Sequence, residues 1–321
     1  MKNKKIFLIQ VFSVIVLVFS FVLALILGAE KLSVSALFDQ SDRFTKIILF
    51  DLRLPRALLV FITGVVLGGS GAVFQLFFRN PLAEPGIMGI SSGATLGAVI
   101  ATVVSSAAVS MNISAFAGAL IAGALVTALA FTNAGKQSSV MLLLCGTALG
   151  TLYSSVSSMI LLCNSKELHS IYSWILGSFN GRGWKELYFI LVPAVISIII
   201  MFSIANPLDL LTGGEKTAES LGVEVNRLRI WVLIAGGLAV SAAVCAGGTI
   251  GFVGLIAPHL VRKLISPKSK KLIPYSMIFG ATLLLLSDTF ARVVIAPSEL
   301  PAGIITGILG VPFFLSLCLK K

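Results

Sequence analysis

A chain of 321 residues that is 57% hydrophobic and 12% charged carries roughly half the ~25% charge of a soluble domain, which excludes a water-soluble fold. The formal charge of +11 fits the basic loops that membrane proteins keep in the cytoplasm. It does not point to nucleic acid, because no basic stretch is interleaved with aromatics. Cys145, Cys163, Cys245 and Cys318 lack metal or disulfide spacing, and the two histidines are far apart, so neither a metal centre nor a disulfide framework is expected.

Uncharged runs mark the membrane spans. The first, Ile6 to Ala29 behind "MKNKK", is too long for the apolar region of a cleaved signal and suits a full crossing. The run 57–78 follows Arg53 and Arg56. The runs 85–135 and 230–261 are too long for one helix and are divided at Asn112 and at Gly247–Gly248. The reading is an all-α polytopic bundle in one domain, 1–321, with ten helices. They are placed at 6–28, 57–78, 90–108, 114–133, 138–162, 187–205, 230–247, 249–265, 272–292 and 302–319.

An even number of crossings returns both termini to one side. That side holds fifteen Lys and Arg residues against nine on the other, so the positive-inside bias makes it cytoplasmic. Arg53 and Arg56 then face outward, against the trend. Small residues at packing spacing (Gly64/Gly68, Gly89/Gly93/Gly97, Gly146/Gly150, Gly303/Gly307) predict close helix crossings. Pro81 and Pro85 in "RNPLAEPG" shape a sharp turn, and Pro258 predicts a kink beside His259, a lone histidine with a structural role.

No acid pair, nucleophile triad or HExxH occurs, so catalysis is not expected of this chain. "TGGEKTAES" at 212–220 fails as a phosphate loop, because Lys216 follows Glu215 and position 210 is Leu. The placed helices hold no carboxylate near their centres, which disfavours an ion-coupled secondary transporter. The polar inner segment 206–229 suits docking into a soluble partner: Thr217 caps a short helix, with Ala218, Leu221 and Val225 on one face.

Residues 53–93, "RLPRALLVFITGVVLGGSGAVFQLFFRNPLAEPGIMGISSG", resemble the signature of the FecCD-type permeases, membrane subunits of type II ABC importers for ferric siderophores, haem and vitamin B12. "AESLGVEVNRLR" (218–229), "GTIGFVGLIAPHLVR" (248–262) and "SDTFARVVIAPSELPAGIITGILGVPFF" (287–314) are similar to the same family. The resemblance implies ten helices in a bacterial cytoplasmic membrane and a second permease, identical or paralogous. It further implies two cytoplasmic ATPases carrying the ATP and Mg, no cofactor on this chain, and an extracytoplasmic binding protein.

By residue, the resemblance assigns binding-protein docking to Arg53, Arg56 and Arg292. It assigns ATPase coupling to Glu215, Ala218, Leu221 and Gly222, and gate lining to Ser138 and Ser139 in "GKQSSV". For the arginines an interfacial anchor, or an internal pair with Asp51 or Asp288, stays open beside docking; for the serines, helix capping does. Ferric siderophore is the expected cargo, with haem and cobalamin as alternatives.

Overall fold

A computed structural model describes residues 2–28, 30, 43–104, 108–130, 139–164 and 168–319. Among these, every regular element is a helix. In chain order they are α1 (Lys2–Ile26), α2 (Leu54–Phe77), α3 (Ile90–Val104), α4 (Ala108–Ala130), α5 (Ser139–Cys163), α6 (Leu168–Ile175), α7 (Trp184–Ser203), α8 (Ala205–Leu211), α9 (Glu215–Ser220), α10 (Val225–Gly247), α11 (Val253–Leu264), α12 (Ser269–Val293) and α13 (Ala302–Leu319). A four-residue helical turn, Arg43–Lys46, continues into a π-helical run, Ile47–Arg53, which leads directly into α2, and Pro85 opens a single 3-10 turn, Pro85–Met88, ahead of α3.

A helix stands at each of the ten predicted segments, with α6, α8 and α9 as short additions. Seven described helices are long and apolar enough to cross a membrane, while α3 and α13 are shorter apolar helices. The short α11 has twelve residues, because Gly248 at φ +76° and Phe252 at φ +67° hold residues 248–252 out of the helical conformation. Its expected start at 249 is therefore four residues early.

Two expected details are overturned. Asn112 does not break a helix: it lies inside α4, where its Oδ1 accepts a hydrogen bond from Arg182 Nη1 at 3.0 Å, so a polar side chain with a half-buried partner mimicked a loop. A Cβ at Gly307 would meet nothing within 4 Å among the described residues, whereas one at Gly303 would overlap the Leu176 carbonyl oxygen.

The bundle is centred on α2 and α10, with α1, α4 and α5 at its rim. Two strips of small residues bring backbones together. A Cβ at Gly68 would overlap the Ser276 carbonyl oxygen, and Gly280 on α12 sits equally close to α2, so glycine sets the α2–α12 crossing distance. Gly89, at φ +74°, seats its backbone against Gly146 and Gly150 of α5, a conformation and an approach that a side chain would obstruct.

Candidate functional site

At one end of the bundle three arginines converge. Arg56, in the first turn of α2, binds Asp288 of α12 through Nε–Oδ2 at 3.2 Å and Nη2–Oδ1 at 2.9 Å. Its Nη1 donates to Glu299 Oε2 at 2.8 Å. Arg292, one turn beyond Asp288, places Nε 3.3 Å from Asp288 Oδ2 and donates from Nη2 to the Ala24 carbonyl at 2.9 Å. Arg53 donates from Nη1 to the carbonyls of Leu25 and Ile26 at 2.9 and 2.6 Å, and from Nη2 to that of Glu30.

The last carbonyls of α1, which have no intrahelical donors, are thus capped by two guanidiniums from other helices. Arg53, Arg56 and Arg292 are only 7%, 9% and 4% exposed. The internal Asp288 pair that the sequence left open for these arginines is present, and Asp51 lies at the edge without joining it. The cluster sets three guanidiniums against the carboxylates of Asp288 and Glu299, and with Glu30, Asp51 and Arg182 counted around it the positive and negative charges balance. It faces a cavity of about 580 Å³, also lined by Glu30, Asp51 and Arg182. Burial holds the Arg182 guanidinium below its ordinary pKa, with Glu186 opposing.

At the opposite end, α8 and α9 form most of the polar segment 206–229. Asp209 of α8 accepts from Ser269 N and Ser269 Oγ, each at 2.8 Å, which caps α12 and fastens the segment to it. The predicted Thr217 cap is not found: α9 begins at Glu215 behind Gly214 at φ +110°, and Thr217 falls inside the helix. Nor do Ala218, Leu221 and Val225 share one face. Ala218 is buried in the core, Leu221 is 60% exposed, and Val225 starts α10.

The reason is a tight helix stop. Val223 N bonds Ala218 O and Gly222 N bonds Glu219 O, with Gly222 at φ +85°: a Schellman turn that needs glycine. Of the four coupling candidates, Leu221 and Gly222 are exposed, Glu215 is half-buried and Ala218 faces inward. Of the gate candidates, Ser138 lies outside the described residues and Ser139 is the first residue of α5.

One feature was legible in the sequence and passed over. Thr147, Thr151, Ser154 and Ser158 recur at i, i+4, i+7 and i+11 along α5 and are exposed. Thr147, Thr151 and Ser158 bond carbonyls of their own helix, and Ser154 reaches Ser92 Oγ at 3.3 Å. A face of small hydroxyl-bearing residues on a rim helix suits packing against a further helix. Glu84 was also passed over. It lies in the connection between α2 and α3, close against Gly254, where burial pushes its carboxyl up to about 7 despite a hydrogen bond with the Phe252 backbone.

A helical membrane bundle with a charged cavity at one end and a helical polar segment at the other has the outline of a transport protein. The FecCD transport family's sequence profile matches residues 16–320, and the chain belongs to that family: it is an ABC importer permease and a multi-pass membrane protein. It is 40% identical over 85% of its length to the cobalamin import system permease protein BtuC of Halobacterium salinarum, covering 73% of that protein. It is 36% identical over 97% of its length to the Fe(3+)-citrate import system permease protein YfmD of Bacillus subtilis, covering 94% of it, and 36% identical over 92% to the hemin transport system permease protein HmuU of Yersinia pestis, covering 90%. Its fold matches an inward-facing structure described as a metal-chelate type ABC transporter, with a TM-score of 0.88 and 35% identity over 98% of this chain and 99% of that one.

Proposed function

We propose that this permease imports a ferric chelate, a siderophore complex first among them, and that it works as half of a membrane dimer with an identical or paralogous permease. Two ATPases on the Lys216 side hydrolyse ATP with Mg, and an extracytoplasmic binding protein delivers the cargo on the Arg53 side. Both termini are cytoplasmic and ten helices cross or enter the membrane. The observation that carries the cargo is the similarity over nearly the whole chain to a ferric-citrate permease and to a metal-chelate type transporter. Cobalamin is the second reading, favoured by the 40% identity to a cobalamin permease.

In this reading the carboxylates of the docked binding protein enter the cavity at Arg53, Arg56 and Arg292, where fixed guanidiniums set their register. Glu215, Leu221 and Gly222 meet the ATPase; Ala218 contributes by seating α9 on the core. The hydroxyls of α5 line the passage with the second permease, and Ser138 and Ser139 stand at its cytoplasmic gate. The chain forms and breaks no bonds of the cargo.

Proteoliposomes holding the assembled complex and the loaded binding protein test the reading. Uptake of radiolabelled ferric siderophore that requires internal ATP supports it. Uptake of cyanocobalamin alone selects the second cargo. Uptake driven by a proton or sodium gradient without ATP rejects the importer mechanism.

A further inference from the structure

α1 and α11 both pack against α12 but scarcely touch one another, so an open furrow runs between them. Phe12 and Val16 of α1 form one wall, Ile256 and Leu260 of α11 the other, and Phe279 and Leu283 of α12 the floor, around about 390 Å³. The two hydroxyls beside it are spent within their own helices, Ser13 on the Gln10 carbonyl and Thr282 on that of Ile278. The furrow is apolar throughout.

It does not end blindly. Ile9 and Leu264 line both the furrow and a second cavity of about 480 Å³ at the Lys5 end, bounded by Lys5, Arg262, Lys263 and Ser266. Lys5 comes from the first turns of α1, and Arg262 and Lys263 from the last turn of α11. Three cations from two helices therefore meet at the mouth of an apolar groove. No carboxylate lines the cavity, and among the described residues none of the three has an ion-pair partner.

The basic residues at the end of α11 favour that helix's dipole, but this does not account for Lys5 converging on them from another helix. Bringing like charges together at a membrane surface is unfavourable unless an anion sits between them. A groove for a hydrocarbon chain joined to a cationic cup has the two-part chemistry of a phospholipid with an anionic headgroup. We infer that the α1–α11 furrow and the Lys5/Arg262/Lys263 cup together form a binding site for one anionic phospholipid, acyl chain in the furrow and phosphate in the cup. Lipid held there ties the peripheral α1 to the α11–α12 pair.

The test uses the assembled complex, reconstituted in vesicles of equimolar phosphatidylglycerol and phosphatidylcholine, released in mild detergent and weighed by native mass spectrometry. The wild type retains phosphatidylglycerol over phosphatidylcholine. Each cation replaced by glutamine lowers that preference roughly five-fold, so Lys5→Gln combined with Arg262→Gln and Lys263→Gln abolishes it. Thr282→Phe, which fills the furrow and leaves the cations in place, removes the retained lipid as well. Should the triple variant not fold, the exposed Lys5→Gln carries the same measurement. Equal retention of both lipids by the wild type, or undiminished phosphatidylglycerol on the cation variants, overturns the site. Insensitivity to Thr282→Phe together with displacement by millimolar inorganic phosphate assigns the cup to free phosphate and equally overturns it.

Discussion

Arg56 and Asp288, 232 positions apart, close a two-pronged ion pair across the α2–α12 crossing. The glycines set that crossing's distance and the pair sets its register, since a guanidinium meets a carboxylate edge-on in few orientations. Asp288 also faces Arg292, and Arg56 also holds Glu299, so one carboxylate anchors two buried cations.

Removing it leaves Arg292 with no carboxylate partner among the described residues and Arg56 with Glu299 alone. Asp288→Ala is expected to cost about 3–5 kcal/mol, the range for breaking a buried pair on one side. Thermal melting of the purified complex measures this. Arg56→Lys, a point charge without the fork, does not restore the wild-type melt. A wild-type melt for Asp288→Ala would show that the pair contributes nothing to the fold.

Arginine-to-glutamate changes at the cluster would confound docking with folding, because a third buried carboxylate would join Asp288 and Glu299. Leu52 offers a cleaner probe: it lines the same cavity and is 58% exposed. Leu52→Glu is expected to lower binding-protein-stimulated ATPase activity several-fold with the melt unchanged, while Leu52→Gln leaves both near wild type. Unchanged stimulation in Leu52→Glu would move docking away from this cavity.

The Asp209–Ser269 contact joins the polar segment 206–229 to α12. Asp209→Ala is expected to cost only about 1 kcal/mol, as for a lost helix cap. The larger effect falls on coupling: more ATP is hydrolysed per cargo molecule imported. Parallel ATPase and uptake assays give that ratio, and an unchanged ratio would assign Asp209 to stability alone.

Much of this arrangement was legible in the sequence, and the misses have physical causes. Apolar length locates helices well because a bilayer tolerates few charges, so each placed segment coincides with a helix. Asn112 misled because a polar residue reads the same whether it faces a loop or a half-buried partner, and its partner Arg182 is 70 residues away. α6 lies in an uncharged run, 168–181, that is too short to read as a membrane crossing. Its C-terminal end is anchored by Thr249 on the Ile175 carbonyl and by the Gly303 amide on that of Gly177, contacts that no local pattern encodes. In the segment 206–229 the expected face assumed a helix continuing past Leu221, where Gly222 stops it. Asp288 was recognised as a possible partner for the arginines; its role as a hub for two of them follows from α12 placing Arg292 one turn beyond it.

The raised Glu84 carboxyl predicts a pH dependence of stability. Its folded carboxyl titrates near 7 against an ordinary 4.5, so between those values the folded state binds more protons than the unfolded one. Stability therefore falls as pH rises through that window and levels off above about 7. Melting temperatures of wild type and Glu84→Gln, compared from pH 4.5 to 8, are expected to diverge across the window, with the wild type losing ground as pH increases. Parallel curves would show that Glu84 titrates normally.

The central claim, that this permease works only as part of an ATP-powered assembly, is met most directly by a native mass spectrum of the gently solubilised complex captured through this chain. The expected mass equals two permease chains plus two ATPase subunits, and the same spectrum separates an identical from a paralogous second permease. A lone chain or a homo-oligomer, active in gradient-driven uptake without any ATPase, would contradict it.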